Sequence, residues 1–230
     1  HGLPVAVIQP TIVYGPFAGV WTVGPINQLK NGCVVLVNGG SGLCNAVYVD
    51  DVVNAMLLAA IHPKAIGETF LISGAEPVTW TEFYGAYEQM LGRKSTVAMS
   101  RQEAKAYLHL CRKEKRKSLW RQIQLTMLAN PDIRKSLREL PLVATLESII
   151  PSSIWEHWKN KMTSSPSQAS VVINELPILP LTEREIEFFA TRYRARIDKA
   201  RHLLGFEPEF NLSKGMLLTK QWARWAYLLS

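Results

Sequence analysis

Two adjacent carboxylates, Asp50 and Asp51, are the first candidates for acid–base chemistry in this sequence. Paired carboxylates exchange protons when their environments separate their pKa values. These two, however, follow the apolar residues 46–49 and open a helix-periodic stretch that continues to about residue 61. Acidic residues at such a place cap a helix or complement the positive end of its dipole. We therefore interpret Asp50 as a helix cap and Asp51 as a first-turn charge.

The histidines and cysteines do not predict a metal site. The histidines are scattered and lack the H-x-x-H or H-E-x-x-H spacing that brings two ligands to one helix face. The cysteines lie far apart and form no C-x-x-C pair, which is typical of reduced thiols in a cytoplasmic protein. The residues are His1, His62, His109, His157 and His202, with Cys33, Cys44 and Cys111.

A turn-rich segment near the start of the chain is the first place to expect a ligand. Residues 5–8 are a continuous apolar run with β-branched side chains, which predicts a strand buried on both faces of a parallel sheet. Residues 9–16 would form a loop leaving the carboxyl end of that strand, where open α/β sheets bind ligands. Because this strand begins so close to His1, we expect that an N-terminal portion precedes it.

The elements that must position this loop alternate between strands and helices. Apolar runs predict further strands at about 33–37, 46–49 and 68–73. Capping residues and glycine stops predict helices, and the alternation predicts an α/β fold. The expected helices cover about 25–30, 50–61, 79–91, 182–189, 198–204 and 213–229, with Thr79 or Thr81, Thr182, Asp198 and Ser213 as caps. The apolar faces would be Val52, Val53, Met56, Leu57 and Ala60 in one helix, and Leu217, Leu218, Trp222, Trp225 and Leu229 in the last.

The residue composition changes near Ser100, where a basic and polar segment begins. Residues 101–138 contain eleven Lys and Arg against three Asp and Glu, so they account for the net charge of +7. We predict a core at 1–98, a helical insertion with a linker at 99–180, and C-terminal helices at 181–230. Further helices are expected at about 132–146 and 152–162, before a Ser-rich linker at 163–170.

The basic run 112–117 leaves alternatives open. The first is a solvated helix face, and the second is contact with an anionic membrane surface. Nucleic acid is disfavoured because aromatic residues are too sparse in the run to form a stacking platform.

Four separated stretches resemble one family, the extended short-chain dehydrogenase/reductases, or NAD-dependent epimerases and dehydratases. The first stretch is similar to the family's RP…VYGP segment, and the second to its V-x-D-[DV]-V-x-A helix start. The third is similar to its GE-x-F-N-I-S-G…E strand and helix, and the fourth to its K-A-x-x-x-L-G-[FY]-x-P tail. In order they are LPVAVIQPTIVYGP (3–16), VYVDDVVNA (47–55), GETFLISG with VTWTEF (67–74 and 78–83), and ARHLLGFEP (200–208).

The resemblance implies the C-terminal part of a Rossmann-like, doubly wound parallel sheet with a small substrate-binding subdomain. It also implies an NAD or NADP cofactor held mainly by an N-terminal half. The family's glycine-rich phosphate loop has no counterpart here, since the Gly40-x-Gly42 turn leads into a strand-like run rather than a helix. None of the seven tyrosines has a lysine four residues later, so the catalytic Tyr-x-x-x-Lys is also missing. The resemblance assigns no catalytic residue to this chain.

The resemblance assigns binding roles residue by residue. The family's loop closes over the nicotinamide and the substrate, so the cofactor-binding candidates are Pro10, Thr11, Ile12 and Val13. The substrate-binding candidates are Tyr14, Gly15, Trp21, Cys44, Asn45 and Arg194. Cys44 and Asn45 stand where many sugar-nucleotide members carry Arg-Asp, whose arginine holds the diphosphate. Either Arg192, Arg194 or Arg196 replaces that cation, or the substrate lacks a diphosphate.

The function that the resemblance implies is the substrate-binding portion of an NAD(P)-dependent epimerase, dehydratase or reductase acting on a sugar or a related polyol or ketone. The chain alone would be inactive. Its expected partners are the cofactor-binding half and a sugar-like small molecule, with a homodimer and a peripheral membrane contact as further options. The alternative is a non-catalytic binding module, or a peripheral membrane protein, that docks through the basic insertion.

Overall fold

The structure is a computed structural model that describes residues 3–129, 172–173 and 176–229, with side chains for residues 3–122 and 176–229. The chain divides into two compact units, residues 1–108 with 171–230 and residues 109–170. The helices expected at 132–146 and 152–162 and the linker at 163–170 lie outside the described residues. The division at 98 and 180 stays a prediction. No helix in the described part of the chain is both long and apolar enough to cross a bilayer.

The described strands pair mainly in parallel. Strand β1 pairs with β5, β2 pairs with β4, and β3 lies between β6 and β8, all in parallel; β7 joins β8 in antiparallel fashion. The strands are β1 Val7–Pro10, β2 Ile12–Tyr14, β3 Cys33–Val37, β4 Ala46–Tyr48, β5 Thr69–Ile72, β6 Thr96–Met99, β7 Val172–Ile173 and β8 Leu176–Leu179.

Helices follow the strands β2, β4, β5 and β6 along the chain, so the α/β prediction is confirmed. Seven α-helices lie in the described residues, and a π-helical turn at Gly19–Val23 precedes the first of them. The helices are α1 Gly24–Asn31, α2 Val49–Ile61, α3 Trp80–Leu91, α4 Arg101–Ala129, α5 Glu183–Ala190, α6 Asp198–Leu204 and α7 Leu212–Trp225. Capping boxes at Thr79 and Thr182 fix the starts of α3 and α5, and Gly92 and Gly205 end α3 and α6 in left-handed conformation.

The opening strand differs from the sequence prediction. Only Ile8 of β1 is even half-buried, because within the described residues β1 pairs with β5 alone. The doubly buried strand is instead β3, whose five residues are all buried between β6 and β8. The predicted loop 9–16 is also shorter than expected, because Ile12–Tyr14 forms β2 and only a bend at Thr11 separates it from β1.

Helix α2 starts one residue earlier than predicted, and of its predicted apolar face only Val52 is buried. Tyr48 holds the N-cap position without a side-chain bond, so Asp50 does not cap the helix, and Asp51 is a buried first-turn residue. The buried positions are Asp51, Val52, Ala55 and Ala59. Of the predicted face, Met56 and Leu57 are 55% and 62% exposed. The small alanines fit against the sheet together with Val52, whereas Val53, Met56, Leu57 and Ile61 are exposed.

Helix α7 shows the same kind of shift. Its cap is Asn211, whose side-chain oxygen accepts the Lys214 N–H at 2.9 Å, and not Ser213. The buried face is Gly215, Met216, Thr219 and Ala223. Of the predicted face, Leu218, Trp222 and Leu229 pack against the core, whereas Leu217 and Trp225 are exposed, so the prediction was right only in part. Gly215 explains the shift, because a Cβ there would overlap the Tyr14 hydroxyl, and the helix therefore lies directly against that ring.

Candidate functional site

Thr11 lies where the chain changes partners between two strand pairs. Its N–H donates to the Ile72 carbonyl at the end of β5, at 2.9 Å, which continues the β1–β5 pairing. Its hydroxyl lies 2.6 Å from the Asn45 carbonyl, just before β4. The next residue, Ile12, is already paired with β4. The carboxyl ends of β1 and β5 therefore meet at Thr11, which is the place where open α/β sheets bind ligands.

Asn45 joins this strand end to a segment that is distant in sequence. Its side-chain amide donates to the Tyr193 carbonyl at 2.9 Å, and its side-chain oxygen accepts the Ala195 N–H at 2.9 Å. Its backbone is left-handed, with φ of 47°, a conformation that asparagine tolerates better than most residues. Asn45 is thus the anchor that holds residues 193–195 against the end of the sheet.

The anchored segment 193–195 contains Arg194 and is flanked by Arg192 and Arg196, and all three arginines are exposed. The Arg194 guanidinium donates to the Ala75 carbonyl at 2.6 Å, beyond the end of β5. Arg192 donates to the Ser41 hydroxyl at 3.0 Å, whereas Arg196 pairs with Asp198 at 2.7 Å. Only Arg194 therefore reaches the carboxyl end of β5. We call Thr11, Asn45 and Arg194 the strand-end cluster.

A close backbone approach supports this arrangement. A Cβ on Gly42 would overlap the carbonyl oxygen of Phe189 at the end of α5, so only glycine lets these two segments touch. Next to it, the Leu43 N–H donates to the Thr191 carbonyl at 2.8 Å. Residues 42–45 and 189–195 are thus joined by backbone bonds as well as by Asn45.

The other cofactor-binding candidates surround Thr11 but differ in accessibility. Pro10 is exposed at the end of β1, and Val13 is half-buried. Ile12 is buried in the core. The Thr11 hydroxyl already bonds the Asn45 carbonyl and lies 3.2 Å from the Ile72 carbonyl. Pro10 is therefore the candidate with the most surface open to a ligand.

Tyr14 and Gly15 occupy the buried end of β2. The Tyr14 hydroxyl lies 3.4 Å from the Asn211 carbonyl, and burial raises the pKa of Tyr14 far above its usual range, with Asp51 adding to the effect. Its ring also lines a cavity of about 290 Å³ beside Glu76, Glu82 and Ser213. Gly15 has φ of 128° and donates its N–H to the Thr22 hydroxyl at 3.0 Å.

Trp21 and Cys44 are held in the interior of the fold. Trp21, in the π-helical turn, is half-buried among Trp80, Phe83 and Phe188, with ring centroids 5.6 to 6.5 Å apart. Cys44 is fully buried, and burial raises the pKa of its thiol well above the usual value. The structure thus brings together Thr11, Asn45 and Arg194, whereas Tyr14 and Cys44 are buried in the core and Trp21 packs against it.

Asp51 has a structural role that the sequence reading did not identify. Its carboxylate accepts the N–H groups of Glu209 and Phe210 at 2.8 and 3.3 Å, which ties α2 to the segment before α7. Burial raises its pKa, and these two bonds act in the opposite direction. The sequence signal for this role was the pair Asp50 and Asp51. When two acidic residues open a helix, one can stay exposed near the positive end of the dipole while the other is buried. Among the described residues, no three His, Cys, Asp or Glu side chains converge to hold a metal ion.

Three solved structures share the architecture of this chain. They are the epimerase Mth375 from Methanothermobacter thermautotrophicus (TM-score 0.52, 15% identity), the dTDP-glucose 4,6-dehydratase DesIV from Streptomyces venezuelae with NAD (0.51, 15%), and a UDP-glucuronic acid 4-epimerase variant from Bacillus cereus with NAD (0.50, 14%). The matches cover 98%, 96% and 98% of this chain but only 45%, 44% and 46% of those proteins. No family model and no curated protein matches the sequence.

The chain has the fold of part of these enzymes. The Rossmann-like α/β prediction is therefore confirmed at the level of fold, and the chain spans less than half the length of the structures it matches. At this level of identity, the likeness concerns the architecture and not the residues of a site. The strand-end cluster must therefore be judged by its own chemistry.

Proposed function

We propose that this chain is the substrate-binding portion of an NAD(P)-dependent epimerase, dehydratase or reductase for a sugar or a related polyol or ketone. The observation that carries the proposal is the strand-end cluster, in which an exposed guanidinium is held at the carboxyl ends of a parallel strand pair. A planar guanidinium binds phosphate or carboxylate oxygens through paired bonds. The cluster therefore suits an anionic sugar derivative, with Arg194 as the candidate for the cation that the family motif supplies through its own Arg.

The residues present fit only one end of a dinucleotide cofactor. The exposed Pro10 and the backbone beside it could border a nicotinamide ring at the end of β1. In the described part of the chain, the glycine turn Asn38–Gly40 leads to β4 and not to a helix, so it does not form the usual cradle for a pyrophosphate. The phosphates would need residues from another part of the enzyme, and we expect the chain alone to be inactive in hydride transfer.

The surface formed by β1 and α2 suits contact with the cofactor-binding half of the proposed enzyme. The Val7 N–H bonds the Glu68 carbonyl, so by strand alternation the backbone of Ile8 points to the opposite edge of β1. Among the described residues, no strand pairs with that edge. Helix α2 packs against β1 and presents an exposed apolar face. That face consists of Val53, Met56, Leu57 and Ile61. Apolar faces of this kind mark contact surfaces, and we propose that a parallel strand and a covering layer of the cofactor half dock here.

A non-catalytic binding module is the second candidate, and two observations favour it. The side chain of Asn45 binds the backbone of residues 193–195, and Cys44 is fully buried. Neither residue supplies the positive charge that many sugar-nucleotide members carry as an arginine at this place. Such a module would use the fold to bind a ligand or a partner without transferring hydride.

A thermal-shift panel distinguishes the candidates. The panel contains nucleoside-diphosphate sugars, sugar phosphates and neutral polyols, each added to the whole chain. A ligand that binds only the folded state at 100 times its Kd raises stability by about 2.7 kcal/mol, which is a measurable rise in Tm. We expect the anionic sugars to raise Tm and the neutral polyols to have less effect. If no member of the panel raises Tm, the substrate-binding proposal is wrong and the module without a sugar ligand is favoured.

A further inference from the structure

The exposed part of α4 carries a continuous cationic stripe. His109, Arg112, Lys113, Arg116, Lys117 and Trp120 follow the spacing i, i+3, i+4, i+7, i+8 and i+11, which places all six on one face of a helix. All six are exposed, and Trp120 is 69% exposed at the end of the row. We call these six residues the basic stripe. With a rise of 1.5 Å per residue, the stripe is about 16 Å long.

The stripe is unfavourable for an isolated helix. Arg112 and Arg116 are four residues apart, as are Lys113 and Lys117, and like charges at this spacing repel each other. One carboxylate, Glu114, lies beside the stripe, three residues before Lys117, and binds it at 2.8 Å. That hydrogen bond lowers the pKa of Glu114, and the neighbouring cations Lys113 and Arg121 act in the same direction. The local potential is therefore positive, and an anionic surface would relieve the repulsion.

We propose that the basic stripe docks on the surface of an anionic lipid membrane, with Trp120 at the level of the headgroups. A straight row of cations presents its charges at one height, which suits a planar array of lipid headgroups. A tryptophan at the end of such a row suits the bilayer interface, where its ring is partly apolar and its N–H finds a partner. Leu119, half-exposed beside Trp120, adds apolar surface at the same end.

A nucleic acid is the less suitable polyanion for this face. Non-specific binding of single strands combines cations with several aromatic rings on which successive bases stack. Within residues 109–122, Trp120 is the one aromatic residue. The proposal concerns the helix face alone, so it holds or fails independently of any substrate at the strand-end cluster.

The test is co-sedimentation of the whole chain with vesicles of phosphatidylcholine alone or mixed with phosphatidylserine. We expect binding to the mixed vesicles only, with a decrease as salt is added, because salt screens charges at the membrane surface. Each cation removed from the stripe is expected to weaken binding about fivefold. The double variant Lys113→Gln with Arg116→Gln should therefore bind about 25-fold more weakly, and glutamine keeps the helix propensity nearly unchanged.

A matched control lies on the same helix. Lys115→Gln with Arg121→Gln removes the same charge from positions outside the stripe, and we expect a markedly smaller loss. Equal losses in the two double variants would overturn the proposed face, because only net charge would then matter. Circular dichroism of both variants establishes that each remains folded before binding is compared.

The depth of Trp120 in the bilayer can be measured separately by fluorescence quenching. Lipids brominated in the acyl chain quench tryptophan that reaches the interface, so binding should quench part of the fluorescence of the native chain. Trp120→Phe should lose that quenching and keep the salt-dependent binding. Quenching that persists in Trp120→Phe would contradict the orientation. Binding to duplex or single-stranded DNA without binding to the mixed vesicles would replace the membrane by a nucleic acid and overturn the proposal.

Discussion

At the scale of single residues, Asn45 joins two distant segments of the chain. It combines a left-handed backbone with two side-chain bonds to residues 193–195. Replacing it therefore removes both the bonds and a residue that tolerates this conformation. The two effects can be separated, because glycine tolerates the conformation without the bonds.

We expect Asn45→Ala to lower the free energy of unfolding by about 2–4 kcal/mol and Asn45→Gly by about 1 kcal/mol less. Each lost hydrogen bond contributes about 1 kcal/mol, and the left-handed backbone costs alanine a further 1–2 kcal/mol. Urea unfolding of the two variants measures the difference. Equal losses would show that the backbone of residue 45 is not strained.

Asp51 should give the stability of the chain a recognisable pH dependence. Burial raises its pKa in the folded state, so the folded chain holds this proton more tightly than the unfolded chain. Its contribution to stability is then full below the ordinary pKa of about 4 and is lost as the pH rises through the raised value.

We expect the stability of the native chain, relative to Asp51→Asn, to fall between about pH 4 and the raised pKa and then to level off. Urea unfolding at a series of pH values measures this difference, with the exposed neighbour Asp50→Asn as the control. A relative stability that rises with pH would show that the bonds from Glu209 and Phe210 outweigh burial.

At the scale of elements, the helix faces were harder to predict than the helices themselves. In α2 the sequence offers two apolar faces, one of large side chains and one containing Ala55 and Ala59, and the face with the alanines is buried. Close packing against β1 and β2 favours small residues there, and no local pattern reveals this.

Because α2 buries the face with the alanines, two glutamine substitutions should differ in how much they lower the free energy of unfolding. Leu57→Gln, on the exposed face, should change the free energy of unfolding of the isolated chain by no more than about 0.5 kcal/mol. Ala55→Gln, on the buried face, should cost about 1–3 kcal/mol or more because it overpacks the core and buries an amide. Chemical denaturation compares them, and a larger loss for Leu57→Gln would reverse the assignment.

Caps were predictable where a capping box lies within four residues, as at Thr79 and Thr182. The caps predicted at Asp50, Asp198 and Ser213 were wrong, because Tyr48, Ile197 and Asn211 hold those N-cap positions. The Thr79 hydroxyl accepts the Glu82 N–H at 3.2 Å, and the Glu82 carboxylate accepts the Thr79 N–H at 2.7 Å. The sequence predicted either Thr79 or Thr81 as the N-cap of α3. The structure selects Thr79, and Thr81 donates instead to the Gly39 carbonyl at 2.6 Å.

We expect Thr79→Ala to cost about 1 kcal/mol of stability and Thr79→Ser to cost little, since serine caps helices as well as threonine does. Thermal unfolding of both variants checks this prediction. A similar loss in the two would assign the effect to packing of the Thr79 methyl group and not to the cap.

At the scale of the whole molecule, the order of elements was predictable and the assembly of the site was only partly so. Glycines and apolar runs indicated the strands β3, β4 and β5 and the helices α2 and α3, which follow β4 and β5. The bridge from Asn45 to residues 193–195 spans about 150 positions, and no local pattern predicts its partners. The exposed β1 was mispredicted because its composition is that of a buried strand, whereas burial depends on a neighbour.

The central claim is that Arg194 receives the anionic part of a sugar-like ligand at the strand-end cluster. The most direct measurement is isothermal titration of the whole chain with the ligand that gives the largest thermal shift, in the native form and in the variants Arg194→Gln and Arg196→Gln. Arg196 lies in the same exposed segment but pairs with Asp198, so it is the matched control. We predict that Arg194→Gln weakens binding by about 1.5–3 kcal/mol, or roughly 10- to 150-fold in Kd, and that Arg196→Gln changes it little. Equal affinity in the native chain and in Arg194→Gln would contradict the claim.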